Sequence, residues 1–329
     1  MALIPCREGG PLRHMPTRWF GPATRTFVHE ARRTDDYSWA DLVHGYVYAR
    51  WPYLYIGIGT GEHPASRWVR PLLGRLGRLL PFGRGGRPGM ADTYHGKVLP
   101  LEAARKLVAV QEEVRLTDLE PVIPYQRARD IILRNPDHIV ALECPCRASR
   151  QNPCLPLDVC LIVGEPFAGL VHEHHPRRSR RVSRAEAEAI LEAEHARGHV
   201  QHAFFKDAML GRFYAICNCC SCCCGAMQAM RSGTPMLASS GYVCVVDERA
   251  CAGCGDCEAA CPFGAVRLED GCAMVDRATC MGCGVCVSMC ETGALGLTLA
   301  PDRGTPLDIC QLIADSAAAG APASTGATR

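Results

Sequence analysis

The sequence predicts an α+β protein, with a mixed cysteine-rich central domain followed by a small C-terminal domain built on a βαβ repeat. Residues 245–268 recur at 274–297 with an offset of 29. Between residues 100 and 240, segments with helical spacing alternate with short apolar runs. The chain has 22 cysteines in 329 residues, most of them clustered. The expected division is an aromatic and arginine-rich region at 1–90, the central domain at 91–238, the repeat domain at 239–312 and a disordered tail at 313–329.

A hydrophobic share of 48% and a charged share of 21% describe a globular chain with a sizeable core. The net charge of +2 does not mark a nucleic-acid binder, and none is expected as a partner. The N-terminal MALIPCREGG lacks the apolar run of a secretory signal, so the expected compartment is cytoplasmic. Thiols kept in a reducing compartment point to metal or redox chemistry rather than disulfides.

In the first region, the apolar run LVHGYVYARWPYLYIGIG (42–59) contains His44, Arg50 and Pro52. A mid-segment arginine beside a proline argues against a membrane span, so a buried strand or irregular packed segment is expected. Residues 66–89 follow with six arginines and no acidic residue. Leu72, Leu73, Leu76, Leu79 and Leu80 lie among them, but Pro71, Gly74, Gly77 and Pro81 weaken any helix. The segment suits a flexible linker, or contact with an acidic partner or membrane surface.

In the central domain, LEAARKLVAVQEEV and IPYQRARDIILRN both read as helices, the second stopped at Asn135–Pro136. HIVALE (138–143) reads as a buried strand that runs into Cys144 and Cys146, which share a side in extended chain. Cys154 and Cys160 follow in a proline-rich loop. Ser183 and Glu186 then form a capping box, with Gly198 beyond the helix end. HVQHAFF and RFYAIC pair as a hairpin across KDAMLG and lead to CNCCSCCC at 217–224.

Both cysteine groups therefore follow buried strands, and they are expected to meet and share a metal. Thiolates this dense repel one another unless a cation neutralises them. The candidate ligands are Cys144, Cys146, Cys154, Cys160, Cys219, Cys220, Cys222 and Cys223. Redox-active or merely buried thiols are the alternatives. His172, His174, His175, His195, His199 and His202 are weaker candidates, read first as exposed or supporting residues.

In the C-terminal repeat, Cys251, Cys254, Cys257 and Cys261 answer to Cys280, Cys283, Cys286 and Cys290, each run spaced C-x2-C-x2-C-x3-C. Four thiolates so spaced can hold a cubane cluster, and Gly253, Gly255, Gly282 and Gly284 let amide hydrogens approach the sulfurs. Zinc on two C-x2-C pairs would not call for the duplicated four-cysteine run. The spacing resembles the bacterial two-cluster ferredoxin domain. That resemblance implies two 4Fe-4S clusters, each taking its fourth cysteine from the other run. Cluster one would use Cys251, Cys254, Cys257 and Cys290; cluster two would use Cys280, Cys283, Cys286 and Cys261. Glu291 stands where that family usually has proline, which removes no ligand.

ECPCR, PLDVCL, the capped helix, GHVQHAFF and CNCCSCCC occur in that order before the repeat. Over roughly residues 90–310 the chain is thus similar to cysteine-rich ferredoxin-domain iron–sulfur proteins of anaerobic prokaryotes. The resemblance implies electron transfer between two clusters and a central iron–sulfur or zinc site, toward a redox partner protein. No G-x-G-x-x-G follows a strand, so no nicotinamide or flavin site is expected. A redox enzyme subunit with a catalytic central cluster and a redox-responsive regulator are the alternatives.

Overall fold

Pro22 opens the first described helix, at a position where its missing N–H would have had no helical partner. The computed structural model describes residues 19–69, 71, 90–117 and 119–318. Helix α1 spans Pro22–Ala31. Helix α2 (Trp39–Arg50) is closed by a capping box between Ser38 and Asp41. Pro52 then begins helix α3 (Pro52–Thr60).

The apolar run 42–59 is therefore two short helices and not a buried strand or irregular segment. Pro52 breaks the run once but fits the first turn of the second helix. No described helix is long and apolar enough to cross a membrane. Phe27, Val28, Leu42, Tyr48 and Ala49 enter the main core, so this region is part of the central fold. The arginine-rich segment falls almost wholly outside the described residues.

Eight strands follow: β1 (Tyr94–Leu99), β2 (Val114–Leu116), β3 (Ile131–Glu143), β4 (Asp158–Glu165), β5 (Ser179–Val182), β6 (Val200–Lys206), β7 (Arg212–Cys219) and β8 (Leu237–Ala238). They form one sheet in the order β2-β3-β4-β7-β6-β1-β8, with β5 also on β3. The β1–β8 pair is parallel, and the other ladders among these strands are antiparallel.

Side chains alternate across the sheet as strand geometry requires. Phe205, Phe213 and Ile216 pack with helices α4 (Leu101–Val108) and α6 (Arg184–Ala196). Phe204, Tyr214 and Cys219 face α1, α2 and α5 (Phe167–His174). Ser183 caps α6 with Glu186, and Gly198 beyond its end has φ of 80°.

The helix expected over residues 123–135 does not form; Ile131–Leu133 begin β3 instead. The β-branched Ile131 and Ile132, with Leu133, pair with β2, while Ile139–Leu142 pair with β5 farther along the same edge. Asn135, at φ 45°, and Pro136 fall between these ladders, where the register against β4 shifts. There the missing proline N–H costs no ladder bond.

After helix α7 (Gly225–Arg231), the C-terminal unit contains β9 (Tyr242–Val246), β10 (Val266–Glu269), β11 (Cys272–Val275) and β12 (Leu295–Leu299). β9 pairs with β12 and β10 with β11, so each ladder joins one strand from each copy of the repeat. Helix α8 (Ile309–Ala318) then returns to the central sheet, where Leu307 and Ile309 are buried beside Leu107. Residues 313–318, expected in a disordered tail, belong to this helix; 319–329 lie outside the described residues.

Candidate metal centres

The cysteines after β3 and those after β7 do meet, because β4 pairs with β7 through Leu161–Ile216 and Ile162–Ala215. They form two groups, however, rather than one. Cys154, Cys220, Cys222 and Cys223 place their Sγ atoms all within 4.8 Å of one another. Cys154 and Cys222 are 3.1 Å apart, and Cys222 and Cys223 are 3.6 Å apart. A tetrahedral zinc ion, with Zn–S of about 2.3 Å, spaces its sulfurs about 3.8 Å apart. The tetrad therefore has the dimensions of a single-ion site.

Arg150 donates to the Cys223 carbonyl at 3.2 Å, Gln228 to the Cys222 carbonyl at 2.8 Å, and Arg231 to that of Ser221. These bonds hold the loop that carries three of the four thiols. Burial, then contact with Cys222, pushes Cys154 up to about 11. Against the effect of burial, hydrogen bonds from Cys154, Cys223 and Cys220 hold Cys222 below the ordinary thiol range.

The other four candidates, Cys144, Cys146, Cys160 and Cys219, lie in a deeper group with Cys217 and Cys224. Cys144 and Cys146 are not in extended chain: Pro145 starts the short helix Pro145–Ala148, with Cys144 at its cap. Cys219 and Cys224 approach to 3.2 Å, and Cys160 and Cys217 to 3.9 Å. The Cys146 thiol, through its hydrogen bond, and burial push Cys144 up to about 12, with Cys160 pulling the other way.

Sequence spacing does not select Cys217 or Cys224. The signal was present in alternation along β7, which puts Cys217 and Cys219 on one face. Cys144, Cys146, Cys217, Cys219, Cys224 and the tetrad's Cys220 line a small cavity of about 30 Å³, together with Tyr94, Phe204 and Arg147.

Beside both groups lies the fully buried Arg147. It donates to Glu194 at 2.5 Å and to the carbonyls of Pro156 at 2.6 Å and Asn218 at 3.0 Å. Five of the six candidate histidines bond elsewhere, whereas His202, opposite Cys217 on β6, is fully buried with neither ring nitrogen hydrogen-bonded. His175 meets the Ala49 carbonyl, His172 meets Ser179, and His199 meets Glu194. His174 meets Thr24, and His195 bridges Gln201 and Ser288.

In the C-terminal unit, two loops hold the duplicated cysteines. Gly253 and Gly282 correspond across the repeat, with φ of 66° and 64°. A Cβ on Gly253 would sit 2.4 Å from the Gly271 carbonyl oxygen, and one on Gly282 2.2 Å from that of Tyr242. Only glycine allows both the turn and the close approach.

Cys251, Cys254, Cys257 and Cys290 line one cavity of about 20 Å³. Cys261, Cys280, Cys283 and Cys286 line another of about 10 Å³, together with Cys244. Each cavity thus combines three thiols of one run with the last thiol of the other. The interleaved strand pairing produces this exchange. Backbone amides reach the sulfurs: Ala265 N–H donates to Cys261 at 3.2 Å, and Cys244 N–H to Cys280 at 3.4 Å.

The profile of the 4Fe-4S dicluster domain family matches residues 250–295. Comparison with curated protein sequences gave no match. A ferredoxin-type 4Fe-4S domain thus occupies the C-terminal part of the chain, and its thiol-lined cavities and amide donors fit such a cofactor.

Hydrogen bonds from the Thr292 hydroxyl and nearby amides hold Cys290 below the usual thiol range, so Glu291 in place of proline leaves that thiol well supported. The dicluster domain is asymmetric in exposure. Cys254 is exposed, whereas Cys280, Cys283 and Cys286 are buried. Met281, Cys283 and Val285 share a continuous core with Cys219, Cys224 and Met227 of the central domain.

Proposed function

We propose that the chain is an iron–sulfur electron-transfer protein whose dicluster domain holds two 4Fe-4S clusters. Cys251, Cys254, Cys257 and Cys290 would bind the first, and Cys280, Cys283, Cys286 and Cys261 the second. The supporting observation is the pair of cavities, each lined by those four thiols. Bound clusters supply one-electron redox chemistry. The protein's part is to fix the thiolates, aim N–H groups at sulfur and set the exposure of each site, which tunes potential.

The exposed Cys254 makes the first loop the face for a redox partner protein. The buried second loop, packed on the central domain, carries the path inward. The tetrad of Cys154, Cys220, Cys222 and Cys223 holds one thiolate-bound ion, zinc by its dimensions. This ion fastens the proline-rich loop to the loop after β7.

The test is iron analysis and anaerobic voltammetry of the full chain with paired substitutions. Cys251→Ala with Cys254→Ala, and separately Cys280→Ala with Cys283→Ala, should each remove about four irons and one reversible one-electron wave. Unchanged iron in either variant, or iron that exchanges no electrons with a viologen dye, would overturn the reading.

A further inference from the structure

The deeper group of central cysteines is not explained by the tetrad or by the dicluster domain. Its cavity has a volume of about 30 Å³, of the same order as the 20 Å³ and 10 Å³ of the two cavities of the dicluster domain. Like them it is lined by cysteines: Cys220, which belongs to the tetrad, and five that do not, Cys144, Cys146, Cys217, Cys219 and Cys224, one more than a cubane needs. These five come from two C-x-C pairs, one after β3 and one on β7, plus the residue that caps α7.

Buried thiols gathered this densely around a cavity are unlike the close-packed apolar side chains of the surrounding core. Such polarisable thiols match soft metals such as iron in clusters. A single ion needs ligands gathered as the tetrad gathers them. A cubane, with iron at four corners, needs them spread around a chamber.

We infer that the central domain carries a third 4Fe-4S cluster in this chamber, held by four of Cys144, Cys146, Cys217, Cys219 and Cys224, and separate from the single-ion site of the tetrad. Packing gives the chamber a role. Cys219 and Cys224 belong to the same contiguous core as Met281 and Cys283 of the second loop. The chamber thus extends the path that begins at the exposed Cys254, one electron at a time, into the central domain. Tyr94, stacked on Phe204 with centroids 5.1 Å apart, lines it beside the thiols. The inference does not depend on which cysteines serve the dicluster domain.

Iron, acid-labile sulfide and zinc are measured together on the anaerobically purified full chain. About twelve irons and one zinc are expected, where the dicluster domain alone would give about eight irons. Cys144→Ser with Cys146→Ser and Cys224→Ser leaves three of the six lining thiols, too few for a cubane. It should lose about four irons while keeping zinc and the dicluster signals in electron paramagnetic resonance, which also reports that the variant has folded. Cys154→Ser with Cys222→Ser should do the reverse, losing zinc and keeping all the iron. About eight irons in the parent chain, unchanged iron in the first variant, or loss of the same metal in both variants would each overturn the inference.

Discussion

At the residue scale, the two glycines Gly282 and Gly264 share nearly the same left-handed φ, 64° and 66°, but differ in surroundings. A Cβ at Gly264 meets nothing within 4 Å, whereas one at Gly282 would collide with Tyr242 O at 2.2 Å and Ser240 Oγ at 2.3 Å. Gly264→Ala should therefore cost only the left-handed penalty of about 1 kcal/mol. Gly282→Ala must also push the loop away from β9, and should cost about 3 kcal/mol or more. Because Gly282 lies between Cys280 and Cys283, it should also lower the iron content. Anaerobic denaturation with iron analysis compares the two; equal losses would show that the close approach does not matter.

At the element scale, α6 is joined to the cysteine-bearing segments by one buried ion pair. Arg147 and Glu194 have side chains about 1% exposed and 2.5 Å apart. The Arg147 guanidinium also ties the Pro156 and Asn218 carbonyls, and so ties the loop before β4 to the strand that delivers Cys219. Glu194→Leu strands a buried cation with no anionic partner, leaving it only carbonyls and His199 Nδ1 at 3.1 Å, and should destabilise by about 3–5 kcal/mol. Adding Arg147→Met to Glu194→Leu should recover part of that loss, because no lone charge then remains. A double-mutant cycle by denaturant titration measures this coupling. A double variant as unstable as the sum of the two single ones would show that the pair is not coupled.

At the scale of the whole molecule, all three lysines of the chain are engaged. Lys106 pairs with Asp308 at 2.7 Å, and Lys97 donates to the Thr305 carbonyl at 2.8 Å, so both fasten the returning C-terminal segment. Lys206 lies over the rings of Tyr48, Tyr94 and Tyr55 at 4.9, 4.8 and 5.5 Å, beside the deep thiol group.

Burial lowers Lys206 from 10.5 to about 8, with Asp207 opposing. Between those values the unfolded chain binds the proton that the folded chain has released, so the stability owed to Lys206 rises with pH across that window. The difference in stability between the parent chain and Lys206→Met should therefore shift in favour of the parent from about pH 8 to about 10.5, by up to about 3 kcal/mol. Denaturation of both proteins at several pH values measures it. A difference that does not change with pH would mean that the aromatic rings hold the ammonium as well as water does.

What the sequence determined by itself was whatever is written within one loop or one turn of chain. The C-x2-C-x2-C-x3-C runs, their glycines, the capping box at Ser183 and the hairpin after Gly198 depend on neighbours a few residues apart, where local geometry leaves little choice. Pairing across longer separations was decided only by the tertiary structure. The apolar run at 42–59 became two helices because a proline fits a helix start and the core offered two grooves rather than a ladder. Residues 131–143 became one strand because β2 and β5 were there to pair with its two halves. The central thiols divided into a surface tetrad and a deep chamber because β4 lies beside β7, some 55 residues away in sequence. No spacing rule states which of two thiol-rich segments faces which. That choice follows from the side of each strand on which a sulfur falls and from what already fills the space opposite it.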